Sequence, residues 1–167
     1  MNPIIRVSGA LAAGMRIDLA RQHDFAAERV GFLFGRSVNC PEPLLLLHSY
    51  VPVHDVNYIE DETVGARIDS AAIRKALQEA LNRSMGIFHV HLHAHRGVPG
   101  FSGVDRQNIL RLAPGFRGVS GKNAFGAIVL SETDAAALVW LPAEERPRPA
   151  SCITVTGWPL RRSLERL

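Results

Sequence analysis

Lysine is almost missing from this chain: among 19 lysines and arginines, only Lys75 and Lys122 are lysines. The formal net charge is +3, and no basic run exceeds Arg161-Arg162. So mild a basic balance argues against nucleic acid as a partner. Cysteine is equally scarce. Cys40 and Cys152 stand far apart, without metal-knuckle spacing, so two reduced thiols are expected rather than a disulfide. No apolar run approaches the roughly 20 residues of a membrane span. The opening MNPIIRVSGALAAGMR has no basic region ahead of its apolar residues, so no leader is expected. These absences point to a cytoplasmic protein with no membrane partner. No internal repeat or low-complexity tract is visible.

What is present is ordinary globular composition, 47% hydrophobic and 21% charged. The 167 residues fit one domain, 1–167, with a single core. Pro3 to Val7 reads as a short edge strand, and Ile17 to Arg29 as a helix delivering the chain to a buried strand, VGFLFG (30–35). LLLLHSYVPV (44–53) reads as another strand. The Glu60-Asp61-Glu62 loop reads as a solvated turn. A helix starts at Ser70, capped by Asp69 or Ser70, with Ile73, Leu77, Ala80 and Leu81 on one apolar face. A second runs from Ser102 to Leu112, ended by Pro114-Gly115. FGAIVL (125–130) and AAALVWL (135–141) read as a hairpin, Cys152 to Thr156 as a last strand, and RRSLERL as a frayed or amphipathic tail. Trp140 and Trp158 read as packing residues. Mixed strands and helices with paired β elements at the end indicate an α+β or α/β fold with a mixed sheet.

The most informative stretch is GIFHVHLHAHRGVPGFSGVD, residues 86 to 105. Side chains alternate across a strand, so His89, His91, His93 and His95 line one face and Phe88, Val90 and Leu92 the other. Four imidazoles on one face cannot all be buried comfortably, since each ring nitrogen needs a partner. Two imidazoles at i and i+2 can chelate one ion. A carboxylate from the next helix then gives a His/His/Asp set with an open fourth position, the arrangement of catalytic zinc. A metallo-β-lactamase or cupin pattern needs an acidic residue where this sequence has none. Taken singly, Ser102 is explained as a helix N-cap and Asp105 as a complement to the helix dipole. Neither explanation accounts for their joint distance from the histidines.

With Glu28 added, the sequence resembles the JAMM (JAB, MPN-plus) metalloprotease family. That family carries E-x-x-G-x-L-x-G and then H-x-H-x7-S-x2-D. Glu28-Arg29-Val30-Gly31-Phe32-Leu33-Phe34-Gly35 matches the first part at every defined position, and Ser102-Gly103-Val104-Asp105 matches the end of the second. The histidine spacing departs from the pattern. His89/His91 leave ten residues before Ser102, His91/His93 leave eight and His93/His95 six. The usual proline after the second histidine is also missing. GIFH resembles the family's strand entry and places His89 with His91, the three extra residues falling in the Gly/Pro loop. The alternative register, His91 with His93, needs one inserted residue. His91 is a ligand in both, and His95 is left as a supporting donor, a substrate contact or a solvated group.

The resemblance implies an α+β, three-layer fold: a mixed, mostly antiparallel sheet flanked by helices, MPN- and cytidine-deaminase-like. It implies Zn2+ held by His89 (or His93), His91 and Asp105, with Glu28 as general base and Ser102 stabilising the oxyanion. It further implies a prokaryotic isopeptidase or peptidase acting after the C-terminal glycine of a ubiquitin-like protein. Such a member would work in a bacterial conjugation or antiphage system with E1-like and E2-like partners. The family also contains sulfur-carrier-processing and DNA-repair-associated members, and metal-free members that are non-catalytic scaffolds.

Overall fold

The opening apolar segment becomes β1 (Ile4–Ser8), with Ile5 and Val7 buried and Arg6 and Ser8 exposed. It is not an edge strand. In the computed structural model, which describes residues 1–38, 40–157 and 161–164, it lies parallel to both β3 (Leu44–Pro52) and β8 (Cys152–Thr156). With Ile5 and Val7 buried, a flanking strand on each side satisfies the backbone that burial would otherwise orphan.

The remaining strands are β2 (Val30–Val38), β4 (Gly86–Leu92), β5 (Phe125–Leu130), β6 (Ala135–Trp140), β7 (Arg148–Pro149) and β9 (Arg161–Leu164). Among the described residues they form one mixed sheet in the order β7-β6-β5-β4-β2-β3-β1-β8-β9. Only the β1–β3, β1–β8 and β4–β5 pairs are parallel, so most ladders are antiparallel, as expected. The sheet curls: Ala150 N–H bonds the Ala137 carbonyl of β6, while Ser151 N–H bonds that of Pro3, just before β1. The tail expected to fray instead adds β9 antiparallel to β8. Trp158 lies outside the described residues.

Three layers follow from two apolar clusters. One face of the sheet packs Ile5, Leu33, Leu47 and Val90 against Ala12, Met15 and Leu19 of α1 (Gly9–Leu19). The other packs Phe32, Ile87 and Ala127 against α2 (Ser70–Arg83) and α3 (Gly103–Ser120). The helix expected over 17–29 thus lies earlier, capped by Ser8, whose Oγ accepts from Leu11 N–H at 3.2 Å. It stops at Leu19, and His23 then holds a turn, its Nδ1 accepting from the N–H groups of Phe25 and Ala26. A side chain that bonds local backbone competes with helix continuation.

α2 starts where expected, capped by Asp69. Its buried stripe is Ala72, Ala76 and Ala80, and Leu81 is 54% exposed. Small residues bring the helix close to the sheet, and Leu81 falls outside the contact. α3 runs six residues beyond Pro114. The ring and the bond it removes, to the Leu110 carbonyl, face water, since Pro114 is exposed and Leu110 is 61% exposed. The lost bond is therefore replaced by solvent rather than by a kink.

The β5–β6 hairpin forms as expected. Trp140 stacks on Phe125 with centroids 5.5 Å apart. Cys40 is exposed and Cys152 is buried, and no disulfide joins them. Two glycines are demanded by close approach: a Cβ at Gly86 would lie 1.9 Å from the Ala124 carbonyl oxygen, and one at Gly126 2.0 Å from that of Leu138. Gly126→Ala must therefore part β5 from β6. We expect a loss of about 3 kcal/mol, the upper end of overpacking costs, and a melting point about 10 °C lower. Gly118→Ala, where a Cβ meets nothing within 4 Å, is the control and should raise it slightly. Thermal unfolding of both variants checks this.

Candidate metal centre

Strand β4 is flanked by β2 and β5, and its ladder outlasts the strand: His93 N–H bonds the Leu130 carbonyl at 2.9 Å. The backbone therefore stays extended as far as His93, so His89, His91 and His93 rise as a ladder on one face. It then turns at Ala94, where His95 N–H bonds the His93 carbonyl at 2.9 Å. Ring centroids are 5.6 Å apart for His89 and His91, 4.8 Å for His91 and His93, and 5.9 Å for His93 and His95. The Gly/Pro loop then turns the chain into α3, whose first turn is a full capping box. Ser102 Oγ accepts from Asp105 N–H at 3.1 Å, and Asp105 Oδ2 accepts from Ser102 N–H at 2.7 Å. That box aims the carboxylate at the ladder. Asp105 Oδ1 lies 3.2 Å from His91 Nε2, and Oδ2 lies 3.6 Å from His93 Nε2. The two Nε2 atoms are 3.0 Å apart, and Glu28 Oε1 is 3.8 Å from His93 Nε2.

The structure thus brings Glu28, His91, His93, Ser102 and Asp105 to one place. Among the described residues, Glu28, His91 and His93 form a group whose ligand atoms all lie within 4.8 Å, so it could hold a metal ion. His89 is one step deeper, its ring edge-on to Phe32 at 5.9 Å. His95 is exposed, with Nδ1 on the Arg96 carbonyl.

The donor set fits a cation. Ligands 2.0–2.2 Å from a tetrahedral ion stand roughly 3.3–3.6 Å from one another. The distances, 3.0 Å between the two imidazole nitrogens, 3.2 Å from His91 to Asp105 Oδ1 and 3.6 Å from His93 to Asp105 Oδ2, are close to that size. Hydrogens alone satisfy the cluster poorly. A neutral imidazole carries one N–H, yet His91 Nε2 faces both a carboxylate and another imidazole. His91 is 3% exposed, and its Nδ1 is buried with no hydrogen-bond partner among the described residues.

No model of a known protein family matches this chain, and no curated protein matches it. The site must speak through its own chemistry.

Two titrations lean the same way. Burial and the neighbouring His91 push the His89 imidazole down to about 3. Burial works against the Asp105 carboxylate, but hydrogen bonds from His91 and Ser102 outweigh it and hold the group below the usual range. In both cases the folded state refuses protons that the unfolded chain accepts. The stability concerned is present above the unfolded pKa and is lost as pH falls, from about 6.5 for His89 and about 4 for Asp105. Metal-free protein should therefore weaken by on the order of 1 kcal/mol per pH unit below pH 6.5. Urea unfolding in chelator at pH 7, 6 and 5 measures it.

Glu28 is delivered by coil, and its placement rests on residues whose role the sequence did not disclose. Arg29, 3% exposed, donates to the carbonyls of Arg21 and Gln22 and forks onto Asp55 at 2.6 and 3.2 Å. Tyr58 Oη accepts from Val30 N–H at 2.8 Å, and the His23 ring lies against the Tyr58 ring at 4.5 Å. Across the cleft, the Gly65 carbonyl accepts from Glu28 N–H at 2.9 Å. A Cβ on Gly65 would stand 2.7 Å from Glu28 Cδ, so this glycine makes room for the carboxylate. The acidic loop is thus more than a solvated turn. Glu60 and Glu62 are exposed, but Asp61 accepts from Thr63 and from Arg67 and so shapes the cleft wall. A lone glycine after an acidic run was the one available hint.

The cleft between this loop and α3 has a volume of about 540 Å³. Glu28, His91 and Asp105 stand within it, His89 and Ala127 line it from the sheet, and Phe101 and Ile109 line it from the helix side. Gly31 and Gly35 serve close packing. A Cβ on Gly31 would strike the Tyr50 ring, and one on Gly35 the Leu46 carbonyl.

Proposed function

We propose that the chain is a zinc-dependent peptidase or isopeptidase of the JAMM type. One observation carries the reading: Glu28, from a segment remote in sequence, meets the two-histidine, one-carboxylate cluster at an open cleft that Glu28, His91 and Asp105 line. His91, His93 and Asp105 would hold the ion. When bound, zinc supplies the positive charge that polarises a carbonyl and acidifies water. Glu28 accepts a proton at Oε1 and delivers it to the departing amine. The Ser102 hydroxyl already accepts from Asp105 N–H, which leaves its hydrogen free to donate to the oxyanion. The substrate we propose is the C-terminal glycine region of a ubiquitin-like protein, as conjugate or precursor, with E1-like and E2-like enzymes as partners. Among the described residues, no helix is long and apolar enough to cross a membrane.

Elemental analysis of the purified protein should find about one zinc per chain. Incubation with ubiquitin-like fusions should release the free tail, chelator should stop release, and added zinc should restore it. Cleavage that persists in chelator overturns the reading. Bound zinc without cleavage of any such fusion points to a partner-binding scaffold.

A further inference from the structure

The His89 imidazole lines the cleft beside the metal cluster, yet it has no hydrogen-bond partner among the described residues. Its strand neighbours are Phe32 on β2 and Ala127 on β5, both apolar and buried. Ile87, two residues earlier on the same face, belongs wholly to the core. At that depth along the strand an apolar side chain would have filled the space at no polar cost. A polar group left unpartnered in such a place calls for a partner from outside. His89 is half-buried at the cleft wall, and the group that could hold a metal ion is formed by Glu28, His91 and His93 without it.

We infer that His89 binds substrate backbone and holds no metal: it hydrogen-bonds one peptide group of an extended chain lying in the cleft, next to the bond to be cut. The chemistry is complementary. A neutral imidazole offers one donor and one acceptor, and a peptide group presents one acceptor and one donor. The ring is also held in place, by the edge of Phe32 at 5.9 Å and by the His91 ring at 5.6 Å. It therefore meets the substrate with little rotamer freedom left to lose. The inference rests on the peptidase reading and adds to it the residue that orients the substrate.

The test uses the full-length zinc-loaded protein and a synthetic isopeptide, a fluorescent peptide ending in Gly-Gly joined to a lysine side chain. His89→Phe keeps a ring of similar bulk, and His89→Gln keeps a donor and an acceptor. His89→Phe should bind zinc as wild type does and raise KM about tenfold with kcat little changed, the signature of binding lost equally from ground and transition states. His89→Gln should recover much of that loss. Anisotropy of the same probe on the Glu28→Gln background should show the same weakening without turnover. Loss of zinc in His89→Phe, or KM unchanged in both variants, overturns the inference and leaves the peptidase reading standing. Wild-type protein that neither binds nor cleaves the probe overturns that reading, and the inference with it.

Discussion

Glu28→Gln is expected to reduce turnover by about 10²–10⁴-fold, the span over which a positioned acid–base group contributes, while zinc content and melting temperature stay unchanged. The amide keeps the shape of the carboxylate, so the room left by Gly65 and the backbone bond to its carbonyl are undisturbed. What is lost is an oxygen able to take a proton 3.8 Å from His93 Nε2. Single-turnover kinetics with elemental analysis on one preparation separate the outcomes. Turnover near wild type would remove Glu28 from the chemistry. Loss of zinc would instead make it a ligand, which its membership of the group with His91 and His93 allows.

His93→Ala should cost far more metal affinity than the 10–100-fold typical of a supporting residue, whereas His89→Ala should cost little. The two substitutions decide between the registers left open by sequence. His93 Nε2 is 3.0 Å from His91 Nε2 and 3.6 Å from Asp105, whereas His89 turns toward Phe32. Competition of each apo variant with a zinc-responsive dye gives the affinities directly. The reverse order would restore His89 with His91 as the pair.

How far the sequence spoke can be followed residue by residue. The one-face placement of the histidines, the α+β class and the cap at Ser102 all rest on local rules: alternation, periodicity and capping. The class and the cap are seen in the structure, and the shared face holds for His89, His91 and His93, whereas the chain turns at Ala94 before His95. The choice between His89 and His93 does not rest on local rules. It depends on the β4–β5 ladder continuing to His93 and on where the capping box points Asp105, both set by partners elsewhere in the chain. The interior position of β1 lies beyond local rules for the same reason. Five apolar-alternating residues look alike at an edge or in the interior, and the strand that covers β1 is β8. Pro114 reads as a helix end because the neighbouring sequence does not show which side of α3 faces water. Arg29, Tyr58 and Gly65 act on Glu28 only through tertiary contact, and no spacing rule connects them.

The interior position of β1 also bears on biosynthesis. Its first neighbour, β3, emerges early, so β1 to β6 could assemble while the chain is still being made. The other side of β1 pairs with β8, far later in the sequence, and stays an open edge until that segment has been made. Strand pairing of such long sequence separation is slow and leaves an adhesive edge exposed meanwhile. A ribosome stalled before residue 152 would therefore hold a nascent chain in which Glu28, His91, His93 and Asp105 have all been synthesised but whose sheet still offers β1 to any passing strand.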